Sequence, residues 1–306
     1  MSKKAEESEE QFREVCMREA GITYSVSAVL PIVLSLFVVL IMQAAAGADY
    51  AQTQGYIYLS FLLPQVCFAA AAGIYFARTK APLRTVYGGC KWYYFPIAVL
   101  LQFGLLSLSE LNGYFLEFLS RFGYTQSETA LPDLTGWNLL PAMLVIAVLP
   151  AVFEETVFRG IIVGNFRASG WGTAATVLLS GAMFSLFHTN PAQTVYQFVC
   201  GVCFALMALR CGSIFPTVLS HFLNNALVLA LASAGYSDFP EPVKLPLYIV
   251  SGVCLAATLV YLIFFDKNNR GGKGMNGWKM FFLGAAAGLI LCVVMWGSVF
   301  IAGLAK

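Results

Sequence analysis

Apolar runs long enough to cross a bilayer recur along the whole chain, and they leave little freedom in what it can fold into. About twenty consecutive apolar residues span the hydrocarbon core as a helix, and in lipid only helices or closed barrels satisfy every backbone N–H and C=O. Divided at Pro, Gly and charge clusters, nine runs fall at roughly 23–45, 55–77, 92–112, 137–165, 172–190, 193–210, 214–235, 246–265 and 280–301. They predict an all-α fold, a polytopic transmembrane helix bundle of about eight to nine spans. The fifth to seventh are the least regular, with short links and polar residues. Composition agrees: 59% of the 306 residues are hydrophobic and 11% charged, against about 45–50% and about 25% in soluble domains.

Charge is sparse and one-sided. Lys and Arg in short loops stay cytoplasmic. With the N-terminus inside, fourteen of them (Lys3, Lys4, Arg13, Arg18; Arg78, Lys80, Arg84, Lys91; Arg167; Arg210; Lys267, Arg270, Lys273, Lys279) face the cytoplasm, against Arg121, Lys244 and Lys306 outside. A net charge of +2 offers no basic face for nucleic acid. The polar first twenty residues read as a short cytoplasmic surface helix rather than a cleavable leader. The reading divides the chain into that segment (1–20), N-terminal spans (21–136), a core (137–235) and C-terminal spans (236–306). Its partners are the lipid bilayer and a peptide or protein substrate. A compact chain without a targeting extension reads as an integral protein of the bacterial cell membrane.

Ionisable side chains inside spans are costly and mark function by default. Here they gather in AVFEETVFRG (Glu154, Glu155, Arg159), FSLFH (His188) and HFLNN (His221, Asn225), which include the only two histidines. Glu155 and Arg159 are i,i+4 and share a helix face, so they read as a charge-assisted supporting pair. Glu154 lies about 100° round the helix and reads as the working carboxylate. His221 and Asn225 share a face while Asn224 points elsewhere, and Phe184 shares a face with His188. Measured at 1.5 Å per residue from the cytoplasmic helix ends, Glu154, His188 and His221 sit at ~18, ~24 and ~10 Å, so a common site demands tilt or unequal helix protrusion.

A carboxylate in a dry cavity takes a proton from a water that an imidazole also holds, and the second imidazole with the Asn amide donates to the oxyanion that follows. That is amide hydrolysis. Glu154, His188 and His221 are equally a zinc-type ligand set with an open position for water, so metal-bound and metal-free water both stay open.

EETVFR at 154–159, FSLFH at 184–188 and HFLNN at 221–225, in this order on apolar helices, resemble the three motifs of the CPBP (ABI) family. That family includes the type II CAAX prenyl endopeptidases and proteins linked to bacteriocin processing and self-immunity. The resemblance covers residues 137–235 and implies Glu154 as general base, His188 as a holder of the water, and His221 and Asn225 as oxyanion donors, in a cavity reached from the cytoplasm. It implies about eight spans.

Other readings compete. A structural polar network or a proton-coupled transporter would also bury such groups, as would a non-catalytic binding or immunity protein on the same fold. Cys200 and Cys203 read as packing residues. Gly284 and Gly288 form a small-residue face suited to helix packing within the chain, or to a homodimer. Pro150, with Pro141, reads as a kink opening the cavity. Residues 271–279 (GGKGMNGWK) read as a flexible link, and Trp137, Trp171 and Trp278 as boundary aromatics.

Overall fold

A computed structural model describes residues 3–126, 129–236 and 239–305. It is 82% helical, with no strand among the described residues beyond isolated bridges. Eight helices are long and apolar enough to cross a membrane. We number the helices α1 (Lys3–Ala46), α2 (Gln54–Thr79), α3 (Leu83–Tyr87), α4 (Tyr94–Leu105), α5 (Leu108–Ser120), α6 (Gly136–Ala168), α7 (Thr173–Phe187), α8 (Thr194–Cys211), α9 (Phe215–Ser233), α10 (Glu241–Val260) and α11 (Trp278–Leu304). The all-α polytopic bundle is therefore as expected. The fifth expected span, 172–190, is a 15-residue helix, shorter than the rest. It stops because Thr189 turns into the left-handed region (φ 47°) and Asn190 precedes Pro191, a position that disfavours helix.

The N-terminal segment is not a separate surface helix: α1 runs unbroken into the first span. Its middle turns pack on α11 at backbone contact. A Cβ on Gly284 would lie 2.9 Å from the Arg18 carbonyl oxygen, one on Gly288 2.8 Å from the Ser25 Cα, and Ser25 Oγ donates to the Gly284 carbonyl at 2.7 Å. The small-residue face is thus occupied by α1 of the same chain. Between α7 and α8 the backbones also meet, since a Cβ on Gly201 would stand 2.8 Å from the Gly181 Cα.

Two further expectations are corrected. The 271–279 segment is fastened: the Gly172 amide donates to the Gly274 carbonyl at 3.0 Å, and Asn276 Nδ2 to the Ser169 carbonyl at 3.1 Å. Trp171, expected at the membrane boundary, is 1% exposed, stacked on Phe166 with centroids 4.6 Å apart, and donates from Nε1 to the Asn276 carbonyl at 2.8 Å. Its indole has been recruited as the anchor of that loop. Lys306, counted on the outer face above, lies outside the described residues.

Helix α6 is irregular where the chemistry sits. Stretches of π-helix at Met143–Val148 and Thr156–Val163 flank an α-helical Leu149–Glu155. Pro150 starts the middle stretch. Proline has no N–H to give the carbonyl four residues back, here Ile146. Pro150 sits where the π-helical stretch gives way to the α-helical one.

Candidate active site

The centre of the site is Glu155, fully buried. Its Oε1 accepts from Arg159 Nη1 at 3.0 Å, the i,i+4 pair read from the sequence, and also from His221 Nδ1 at 3.0 Å. The second contact assigns the imidazole: with Nδ1–H donating to a carboxylate, Nε2 is the nitrogen left for a ligand. Arg159 is held as well by ring faces, its guanidinium carbon 4.3 Å from the Phe184 centroid and 5.3 Å from that of Phe204. Burying a guanidinium is tolerable only with such compensation, because an unpaired charge in low dielectric costs several kcal/mol. Phe184 therefore does pack against the site, through Arg159 and also edge-on to His221 at 6.2 Å.

Glu154, adjacent in sequence, is treated differently. It is 8% exposed, Oε1 accepts from Gln65 Nε2 of α2 at 3.1 Å, and its buried Oε2 has no hydrogen-bond partner among the described residues. Gln65 escaped the sequence reading. A lone amide in the second span, beside Pro64, carries no motif, and the only signal was a polar residue in an otherwise apolar run.

His188 caps the C-terminus of α7 and directs Nδ1 to the Phe184 carbonyl at 2.8 Å. A carbonyl only accepts, so Nδ1 carries the hydrogen and a neutral ring keeps Nε2 as an acceptor. His188 interacts electrostatically with both Glu154 and His221. The three groups that the sequence set at different depths thus share one site. The length of α6 and the early end of α7 absorb the mismatch.

Asn225 donates from Nδ2 to the Ile146 carbonyl at 3.0 Å, the acceptor that Pro150 leaves without its usual helix donor. The second amide hydrogen of Nδ2 stays for another acceptor. Asn224 does not point elsewhere, as the spacing suggested. Its Nδ2 donates to Asn225 Oδ1 at 3.2 Å, and its own Oδ1 accepts from Tyr196 Oη at 2.6 Å and Gln102 Nε2 at 2.9 Å. Gln102, Tyr196 and Asn224 form a buried relay that orients Asn225, and no local spacing announced it.

Among the described residues no group of three His, Cys, Asp or Glu side chains is arranged to hold a metal ion. Gln65 engages Glu154 Oε1 and Glu155 engages His221 Nδ1, which leaves Glu154 Oε2 and His221 Nε2.

A family model described as type II CAAX prenyl endopeptidase, Rce1-like, matches residues 136–227, which contain every residue of the cluster except Gln65 and Gln102. The match covers 92 of the 306 residues and makes that segment similar to the CPBP/CAAX proteases. No curated protein and no solved structure matches the chain. The eight apolar helices among the described residues and the Rce1-like match indicate an integral membrane protein similar to CAAX-type intramembrane proteases. Within the CPBP segment, Cys200 and Cys203 are buried free thiols on α8, consistent with packing.

Proposed function

We propose that the chain hydrolyses a peptide bond of a membrane-associated segment, with Glu154 as general base toward water, and that residues 137–235 form the catalytic core between flanking spans. The observation that carries the reading is the unequal use of two adjacent carboxylates. Both keep a buried Oε2 without a hydrogen-bond partner among the described residues, but Glu155 Oε1 is shared by Arg159 and His221, whereas Glu154 meets only the neutral Gln65 amide. Gln65 holds the other Glu154 oxygen and so aims Oε2. The water gives one proton to Glu154 Oε2 and directs its other hydrogen to His188 Nε2. Its oxygen bonds to the scissile carbonyl carbon, and the carbonyl electron pair moves onto oxygen. The spare Asn225 N–H donates to that oxyanion, beside the His221 ring that Glu155 orients through Nδ1. The C–N bond then breaks, and the Glu154 proton passes to the leaving amine. The lopsided Lys and Arg distribution supports a cytoplasmic N-terminus and substrate entry from that side.

The test is cleavage of a quenched peptide library, with and without a farnesylated C-terminal cysteine, by detergent-purified protein and its Glu154→Gln and His221→Ala variants. Chelator and zinc add-back form parallel arms. Cleavage by wild type alone, unmoved by chelator, supports the reading. A Glu154→Gln variant that cleaves as wild type, or keeps the full cellular phenotype, overturns it in favour of a binding or immunity role.

A further inference from the structure

A cavity lies away from Glu154. About 760 Å³ opens between the early turns of α1, the end of α2, the approach to α3 and the last turns of α6. Apolar walls come from Phe12, Val15, Pro82 and Val86. Three cations, Arg18, Arg78 and Lys80, line it with one acid, Glu19. Glu19 accepts from Arg78 through both oxygens, each at 2.9 Å, and lies 3.5 Å from Arg18. That pairing fixes both guanidiniums without exhausting them, since their side chains stay 46% and 47% exposed and each guanidinium carries five N–H donors. The floor includes Gly164, where an added Cβ would meet nothing within 4 Å.

We propose that this cavity binds an acidic membrane phospholipid, the phosphate at Arg18, Arg78 and Lys80 and the first acyl carbons along the apolar walls. Charge complementarity favours an anion: three cations face one carboxylate. The wall chemistry favours an amphiphile over a soluble phosphate, which has no use for Phe12, Val15 and Pro82. Position agrees. At 1.5 Å per residue α1 is ~66 Å long, about twice the hydrocarbon thickness. Its polar first turns therefore extend beyond the lipid tails, and Arg18 and Glu19 mark the level where headgroups lie. Arg78 and Lys80 mark the same boundary at the end of α2. Basic pockets between membrane helices at that level suit anionic headgroups. The site is separate from the catalytic cluster, and its test is independent of peptide cleavage.

Full-length protein, delipidated in neutral detergent, is titrated with phosphatidylglycerol, with phosphatidylcholine of the same chains, with glycerol phosphate and with an acidic peptide. Native mass spectrometry reads retention, and the melting temperature reads stabilisation. Phosphatidylglycerol should bind and raise the Tm, with phosphatidylcholine about fivefold weaker or worse. Gly164→Leu fills the floor, and Lys80→Asn removes a cation at a left-handed position (φ 55°) that Asn tolerates. Each should weaken phosphatidylglycerol about fivefold while the lipid-free Tm holds. If Gly164→Leu lowers the lipid-free Tm, Lys80→Asn decides. Equal binding of the two lipids, or undiminished phosphatidylglycerol binding by the deciding variant, overturns the proposal. A matching Tm rise with glycerol phosphate alone overturns it in favour of a soluble anion, and one with the peptide in favour of a protein partner.

Discussion

Glu155 and His221 lie 66 residues apart in the chain and meet at 3.0 Å, on the same carboxylate oxygen that takes Arg159. One acid therefore fixes a guanidinium and an imidazole in a water-poor interior. Glu155→Gln should leave the Arg159 charge without its counter-ion and cost about 3–5 kcal/mol of stability. Detergent-unfolding curves check this, and an unchanged midpoint would show that Arg159 is held chiefly by its aromatic neighbours.

Glu154→Gln should behave oppositely. Gln65 can still bond a carboxamide oxygen, and no cation hydrogen-bonds to Glu154 among the described residues, so the melting temperature should hold while hydrolysis falls about 10²–10⁴-fold. Gln65→Leu should lower kcat about tenfold with little change in KM, because it removes a hydrogen bond that aims the base rather than one that binds substrate. Rates of the two variants on one peptide separate base from positioning residue.

Pro150 and Asn225 should be energetically coupled. Asn225→Leu removes the donor to the Ile146 carbonyl, whereas Pro150→Ala supplies a helical N–H to the same acceptor. The loss from Asn225→Leu should be smaller in the Pro150→Ala background, with a coupling energy of about 1 kcal/mol. Additive effects in a double-mutant cycle of unfolding free energies would mean that the two residues do not serve the same carbonyl.

Arg159→Lys should not be conservative. The guanidinium lies flat enough to meet the Phe184 and Phe204 rings at 4.3 and 5.3 Å while bonding Glu155, and an ammonium cannot reproduce that fork and plane. A loss of about 1–2 kcal/mol is expected in the same unfolding assay.

Gly201→Val tests the close α7–α8 crossing. Even a Cβ there would stand 2.8 Å from the Gly181 Cα, so α7 and α8 must separate, and α7 carries His188 at its end. Both melting temperature and hydrolysis should fall. If activity survives, the position of His188 does not depend on this crossing.

How much of this was legible follows from the range of each interaction. Glu155 and Arg159 could be paired from sequence because i,i+4 residues share a helix face wherever the helix goes. The all-helical class was legible because lipid offers the backbone no other hydrogen-bond partners. Asn224 was misread for the converse reason: periodicity gives the direction of a Cβ, and a long amide reaches sideways to Gln102 and Tyr196 on other helices. Trp171 and residues 271–279 were misread because the composition of an anchored loop and of a free one is the same. What separates them is the backbone ladder that residues a hundred positions away supply.

The amino-acid sequence by itself determined that the chain spans a membrane as helices, and which few polar groups those helices must bury. The burial cost of each group is local and large. That Glu155 also takes His221 while Glu154 is held by Gln65, and where Asn225 finds an acceptor, only the tertiary structure decided. Those outcomes depend on which helices become neighbours, and that is settled by packing summed over the whole bundle rather than by any single motif.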